Sequence, residues 1–205
     1  MRKQTAVFFS IILVSAFFAA CSASKTDVDQ NAQTEHNPSL YVIDAIMNSY
    51  SCRSFGEGAV SDEAIEILLN AGQKAPSAGN AQPWHFTVIK NTEIARQVAP
   101  RHYAEGALVI VISGKPDPRR PGIEMFDTAS ASQNIYLAAQ ALGFGVRQYI
   151  TGVREVNDNM KESLAIPDDY SAIIIMLIGR PDDETDAASS ASQRRPVESN
   201  VNFIE

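Results

Sequence analysis

The stretch Pro76-Ser77-Ala78-Gly79-Asn80-Ala81-Gln82-Pro83-Trp84 holds the densest set of groups able to do chemistry in this chain. Ser77, Asn80 and Gln82 can each donate and accept hydrogen bonds, and the stretch ends in the only tryptophan. Two prolines and a glycine exclude a regular helix or strand through it. A rigid, polar, aromatic-ended loop between two regular elements suits the cradling of a planar polar ligand. The same residues also fit an ordinary turn with capping side chains.

The elements that must position this loop follow from periodicity and end signals. A helix begins at Pro38 or Ser39, with Leu40, Ile43, Ile46 and Met47 at helical spacing. Ser61 is an N-cap, Asp62 and Glu63 complement the helix dipole, Ile65, Leu68 and Leu69 mark a buried face, and Gly72 is near the helix end. His85 to Lys90 reads as a strand, and Thr92 is expected to cap a short helix reaching Val98. The continuous apolar runs Ala107 to Ser113 and Ser171 to Gly179 read as strands buried on both faces. Between them, Glu124 to Leu142 is the longest helical stretch, stopped by Gly143. Its many Ala and Ser residues allow close helix approach, so it belongs at the molecular centre. Arg147 to Ile150 fits a strand, and Arg154 to Leu164 a helix ended by Pro167. Pro181 to Gln193 is acidic and then Ala/Ser-rich, the composition of a surface connection. In Arg194 to Glu205, Val197, Val201, Phe203 and Ile204 suggest an extended arm able to add to a partner's sheet. The irregular alternation of helices and strands indicates an α+β fold.

Composition removes several function classes. Net charge is −7 and the basic residues are scattered, so nothing suggests nucleic acid. His36, His85 and His102 lie far apart without metal-ligand spacing, so no metal is expected. There is no P-loop and no dinucleotide fingerprint after a strand, so any pyridine nucleotide binds as a transient substrate. Cys52 reads as a small packed residue.

The loop resembles the P-S-x-x-N-x-Q-P-W signature of the FMN-dependent nitroreductase family. Ser51-Cys52-Arg53-Ser54-Phe55 is similar to the family's R-S-x-R-x-F segment, and Ala64 to Ala71 matches the helix that leads into the loop. Ser132-Gln133-Asn134 through Ala141-Leu142-Gly143-Phe144-Gly145 resembles its A-A-Q-N…A-L-G-L-G helix. Leu164 to Tyr170, then Ile173 to Gly179 and Arg194-Arg195-Pro196, follow in the same order. The likeness covers about Pro38 to Glu205. One position departs: Ser49 stands where the family has a basic residue that helps hold the FMN phosphate.

The resemblance implies a mixed, mainly antiparallel sheet wrapped by helices, in an intertwined homodimer with two FMN sites at its interface. Arg53 would pair with phosphate or reach the flavin pyrimidine edge, and Ser51 would bond phosphate or ribityl. Ser77, Asn80 and Gln82 would come from the partner subunit to meet the ring or ribityl oxygens, with Pro76 and Pro83 shaping their loop. Thr151 and Gly152 would bring backbone N–H groups near flavin N5. Arg194 would complete the phosphate clamp, with Arg195 as alternative. Arg101 and Arg147 are weaker candidates for the flavin edge or the substrate. Trp84 is expected in core or interface packing. Because the flavin carries the hard chemistry, no catalytic side chain is expected.

Ahead of this domain, Arg2 and Lys3 precede an apolar run from Ala6 to Ala20, and Phe18-Ala19-Ala20-Cys21 resembles a bacterial lipobox. The expected division is a lipoprotein signal peptide over 1–20, a lipidated Cys21 with a flexible tether over 21–37, and the FMN-binding domain over 38–205. Localisation is then the cell envelope, with the membrane touched through the lipid anchor only. In a Gram-negative cell, Ser22 favours the outer membrane facing the periplasm. A plain secretory signal or an uncleaved anchor are the alternatives.

These readings lead to an FMN-dependent oxidoreductase that reduces small electron-poor aromatics, nitro compounds or quinones, by ping-pong hydride transfer, with NAD(P)H as a possible donor. Export makes that donor scarce. The competing reading is a lipid-anchored flavin-binding protein of the same fold without turnover, which Ser49 favours. A flavin-dependent dehalogenase or oxygen-using enzyme is a third, but no substrate-covering insertion is evident.

Overall fold

The computed structural model describes residues 38–182 and 194–204. The expected signal peptide, Cys21, the tether and most of the 181–193 connection lie outside the described residues.

A four-stranded sheet forms the centre. Its strands are β1 (Trp84–Ile89), β2 (Leu108–Gly114), β3 (Gly145–Tyr149) and β4 (Ser171–Gly179), in spatial order β1-β2-β4-β3 with every neighbouring pair antiparallel. Val111 of β2 stands between Thr87 of β1 and Ile175 of β4. All of β2 is buried, as its unbroken apolar run requires. Its side chains alternate between two cores. Ile110 and Ile112 meet helices α2 (Asp62–Gln73) and α4 (Ile123–Ala141) through Leu68 and Ile135. Val109 and Val111 meet α3 (Thr92–Val98) and the segment after β3 through Val98, Val156 and Leu164. The α+β arrangement expected from the sequence is present.

Local chemistry sets the helix ends. The Ser61 hydroxyl accepts a hydrogen bond from the Ala64 N–H at 3.2 Å, so the expected N-cap of α2 is in place. The α3 cap is Asn91 rather than Thr92: Asn91 has extended backbone and its Oδ1 accepts from the Ile94 N–H at 3.0 Å. Gly72 lies near the end of α2, as expected, one residue before its last, Gln73. A Cβ at Gly72 would come within 2.9 Å of Ile135 and Phe86, so this glycine permits close packing of α2 on α4 and β1.

The helix expected over Arg154 to Leu164 is only partly regular. A short turn α5 (Val153–Glu155) passes into a π-helical segment at Val156–Met160, followed by turns. The Asn157 side chain bonds the Ala172 backbone of β4 in both directions, at 2.8 and 3.0 Å. This tertiary tie holds the widened turn against the sheet, and no periodicity announces it. The expected extended arm after Arg194 also differs. Val197–Ser199 form a tight turn, and among the described residues the segment joins no sheet. Val197, Val201, Phe203 and Ile204 are exposed.

Two helices carry unpartnered apolar side chains. α1 (Pro38–Met47) leaves Val42, Ile43, Ile46 and Met47 exposed, and α4 leaves Met125 and Phe126 exposed. Among the described residues no helix is long and apolar enough to cross a membrane.

Candidate functional site

Residues 49–53 form a strip between the C-terminal end of α4 and the start of β3. Gln140 of α4 clamps it: the Tyr50 N–H donates to Gln140 Oε1 at 3.3 Å, and Gln140 Nε2 donates to the Tyr50 carbonyl at 2.6 Å. The Cys52 N–H then donates to the Val146 carbonyl at 2.9 Å. Extended backbone alternates its side chains, so Cys52 points inward, fully buried, while Ser51 and Arg53 are both exposed. Gly145 is required here, because a Cβ would collide with the Cys52 Sγ. Cys52 is therefore a packing residue, as its sequence setting implies.

Arg194 approaches the same end of α4. Burial pushes the Tyr136 phenol up from its ordinary range, while its bond with Gln140 and the nearby Arg194 charge pull it down. Tyr136 and Gln140 lie one helical turn apart, and Gln140 holds the strip. Arg194 therefore lies within electrostatic reach of Tyr136, one turn from the Gln140 that holds the strip bearing Ser51 and Arg53. A hydroxyl with two guanidinium groups is a donor set suited to a phosphate dianion. Ser49 adds little to it, since its hydroxyl donates to the Ile46 carbonyl at 2.8 Å and closes the end of α1.

The polar loop is built differently. Gly79, Asn80 and Gln82 all take left-handed backbone, with φ of 64°, 54° and 45°. Two ties hold this uncommon conformation. Ser77 Oγ accepts from the Gln82 N–H at 3.0 Å, and Asp127 Oδ1 of α4 accepts from the Ala78 N–H at 3.0 Å. Gln82 Nε2 also donates to Asn80 Oδ1 at 3.1 Å. That bond uses a donor of Gln82 and the acceptor of Asn80, and the two side chains keep complementary amide groups of their own. Both side chains are exposed. Trp84 is no platform: it is 6% exposed, with Nε1 donating to Gln73 Oε1 at 3.0 Å.

The third predicted element, Thr151-Gly152, follows β3. Gly152 has φ 96°, which suits glycine. It lies six residues beyond the strip's anchor at Val146, just past the end of β3 at Tyr149. Arg147, on β3 between them, stacks over the Tyr149 ring at 5.3 Å and points Nη1 at the Cys52 carbonyl, 3.5 Å away. Arg101 lines an apolar cavity with Thr151 and Gly152.

One chain does not bring the loop and the strip together. Asp127 and Gln140 anchor them thirteen residues apart on α4, about 20 Å at 1.5 Å per residue. Sequence reasoning missed both anchors. Asp127 shows only as an isolated acid among small and apolar residues, and it is 6% exposed. Gln140 carries no local signal. A third missed residue, Arg120, places Nη1 3.9 Å from the position of a Cβ on Gly79 and is braced by Asp117. A cavity of about 440 Å³ opens there between Gln82, Lys115, Arg120 and Tyr170. No cluster of metal-ligating side chains occurs among the described residues.

The model of the nitroreductase family matches residues 46–108, which include the strip and the loop. A protein of Archaeoglobus fulgidus, provisionally named an NADH dehydrogenase/NAD(P)H nitroreductase, is 34% identical over 146 residues, covering 66% of this chain and 83% of its own length. A similarly named protein of Methanothermobacter thermautotrophicus is 32% identical over 150 residues, covering 68% and 77%. Among solved structures, a nitroreductase with bound FMN from Desulfitobacterium hafniense superposes with a TM-score of 0.64 at 22% identity, covering 80% of this chain and 98% of that one.

Proposed function

Because the chain belongs to the nitroreductase family, we propose that it is an FMN-dependent oxidoreductase that carries electrons from a reduced pyridine nucleotide to a small electron-poor aromatic, a nitro compound or a quinone. The observation that supports this reading is the Gln140 clamp on the strip that bears Ser51 and Arg53, with Arg194 in electrostatic reach of the neighbouring Tyr136. Bound FMN would supply two-electron chemistry. The chain's own residues bind and orient it. Arg53 and Arg194 offset the phosphate charge, against a protein of net charge −7. Ser51 bonds phosphate or ribityl oxygen. Thr151 and Gly152 offer backbone N–H groups at the ring.

Asn80 and Gln82 meet the ring from a second copy of the chain, because their own strip lies about 20 Å away along α4. The exposed apolar side chains of α1 and α4 are the surfaces that such a homodimer would cover. The division of the chain stays as read from its sequence: a signal peptide over 1–20, a lipid on Cys21, a tether to 37, and envelope location through that anchor alone.

A second reading, flavin binding without turnover, is favoured by Ser49, whose hydroxyl is engaged with α1 rather than offered to a phosphate. An absorbance spectrum of the purified protein, before and after adding FMN and removing the excess, tests the first step. Retained flavin in a dimeric fraction, reduced by NAD(P)H and reoxidised by a quinone, is the expected result. Retained flavin that never cycles would select the second reading. No retained flavin would overturn both.

A further inference from the structure

The cavity of about 440 Å³ beside the polar loop is lined by one buried carboxylate, Asp127. Its Oδ1 is taken by the Ala78 N–H at 3.0 Å. Its Oδ2 is buried and meets no hydrogen-bond donor among the described residues. One helical turn earlier on α4, the half-buried Glu124 also buries its Oε2 without a donor. A buried carboxylate oxygen is costly to leave unpaired, and such atoms in native proteins find a partner in the protein, in water or in a bound group. The other charges at the cavity are engaged. Arg120 Nε donates to Asp117 Oδ2 at 3.0 Å, and Arg119 braces the same carboxylate. Lys115 pairs with Asp169 at 2.6 Å. Lys115, Arg119 and Arg120 are exposed, so solvent screens them. The charge left without a partner is therefore the negative one, on Asp127, with Glu124 reinforcing it.

The rest of the wall suits a hydrocarbon body. Pro83, Pro116, Pro118 and Ile123 line it, and the prolines fix the backbone on either side. The Lys115 N–H donates to the Pro83 carbonyl at 2.8 Å, which ties the 115–118 segment to the loop and holds the two walls together. The volume lies in the range of small-molecule sites. We infer that this cavity is a binding site for a small organic ammonium ion, whose N–H groups donate to Asp127 Oδ2 while its hydrocarbon body rests on the prolines and Ile123. An anion is disfavoured by the unpaired carboxylate, and a neutral molecule forgoes the charged hydrogen bond. Gln82 is the one lining residue that the flavin reading also uses, and it takes no part in holding the ammonium group. The inference stands apart from the flavin function.

The test is calorimetric titration of the purified protein at neutral pH with three probes of one shape: cyclohexylamine, cyclohexanol and cyclohexanecarboxylate. None is aromatic, so none imitates a flavin substrate. Saturable one-to-one binding of the amine is expected, with the alcohol about tenfold weaker or more and no binding of the carboxylate. Asp127→Asn keeps an acceptor for the Ala78 N–H and removes the charge, and it should weaken the amine about tenfold or more. Ala81→Trp fills the cavity from an exposed rim position, leaves Asp127 in place and should cost as much. Circular dichroism checks that both variants fold, and either one that folds suffices. A protein that does not bind cyclohexylamine saturably would overturn the inference and leave Asp127 Oδ2 to water. Equal binding of cyclohexanol or of the carboxylate would overturn it too, as would unchanged amine affinity in a folded variant.

Discussion

The strip at Tyr50–Arg53 and the loop at Pro76–Trp84 are both short, non-helical and tied to α4, yet they are built on opposite plans. The strip is held by main-chain bonds to Val146 and by the Gln140 amide, which leaves its side chains, Ser51 and Arg53, turned outward. The loop is held by its own side chains and by Asp127, in a left-handed backbone that those bonds maintain. A main-chain scaffold tolerates mobile charged side chains and suits charge recognition. A side-chain scaffold fixes a shape and suits a planar edge. Damage to the strip should therefore register first in cofactor affinity, and damage to the loop first in stability.

The largest expected effect tests the strip. Arg53→Ala should weaken FMN about 30- to 100-fold, as loss of one partner of a charged, hydrogen-bonded pair does. Arg53→Lys should recover only part, lacking the guanidinium fork. Flavin fluorescence titration reads both, and unchanged affinity in Arg53→Ala would remove the phosphate role. Next is the packing beneath the strip. Gly145→Ala should destabilise by about 1–3 kcal/mol, since the new Cβ meets the Cys52 Sγ. Cys52→Ala in the same chain should restore part of that loss in urea unfolding, and additive losses would break the contact.

The loop's own test is Asp127→Ala, which leaves the Ala78 N–H without its partner. About 1–2 kcal/mol of stability should be lost. Asp127→Asn, which keeps an acceptor, should lose less. Equal melting of the two variants would show that Asp127 does not hold the loop. If Asp127→Ala instead cut FMN affinity as far as Arg53→Ala while leaving stability intact, the contrast between the two plans would fail.

The smallest effect lies at the surface beside the loop. The Arg119 N–H and the Arg120 guanidinium hold the Asp117 carboxyl below its usual range, and Lys115 does the same for Asp169. Both folded values are depressed, so their contribution is complete above the unfolded carboxylate value of about 3.9 and is lost as pH falls through the lower folded value. Thermal melts should show only a shallow acid loss from these exposed pairs. Asp169→Asn should flatten it slightly, and an unchanged acid limb would discard the Lys115 pair as a contributor.

Much of the scaffold was legible. The runs at 107–113 and 171–179 read as strands buried on both faces; β2 is buried throughout, whereas β4 is buried from Ile175 to Gly179 but starts with an exposed Ser171 and half-buried Ile173 and Ile174. Ser61 could only cap what followed it. The loop's departure from regular structure was written in Pro76, Gly79 and Pro83. Other features were not local. The cap of α3 passed to Asn91 because the capping residue must lie outside the helix. The π-helical turn at Val156–Met160 depends on Asn157 reaching Ala172 across the fold.

By itself the sequence determined the α+β class, the order of elements and the residue types able to hold a phosphate and a planar ring. Those depend on periodicity, backbone constraints and donor chemistry, all of which act within a few residues. Tertiary structure alone decided that the strip bearing Ser51 and Arg53 is tied to one end of α4 while the loop bearing Asn80 and Gln82 is tied to the other. Chain separation carries no distance until the sheet packs. Once α4 is laid across it, Asp127 and Gln140 hold the two half-sites apart at a length set by the helical rise.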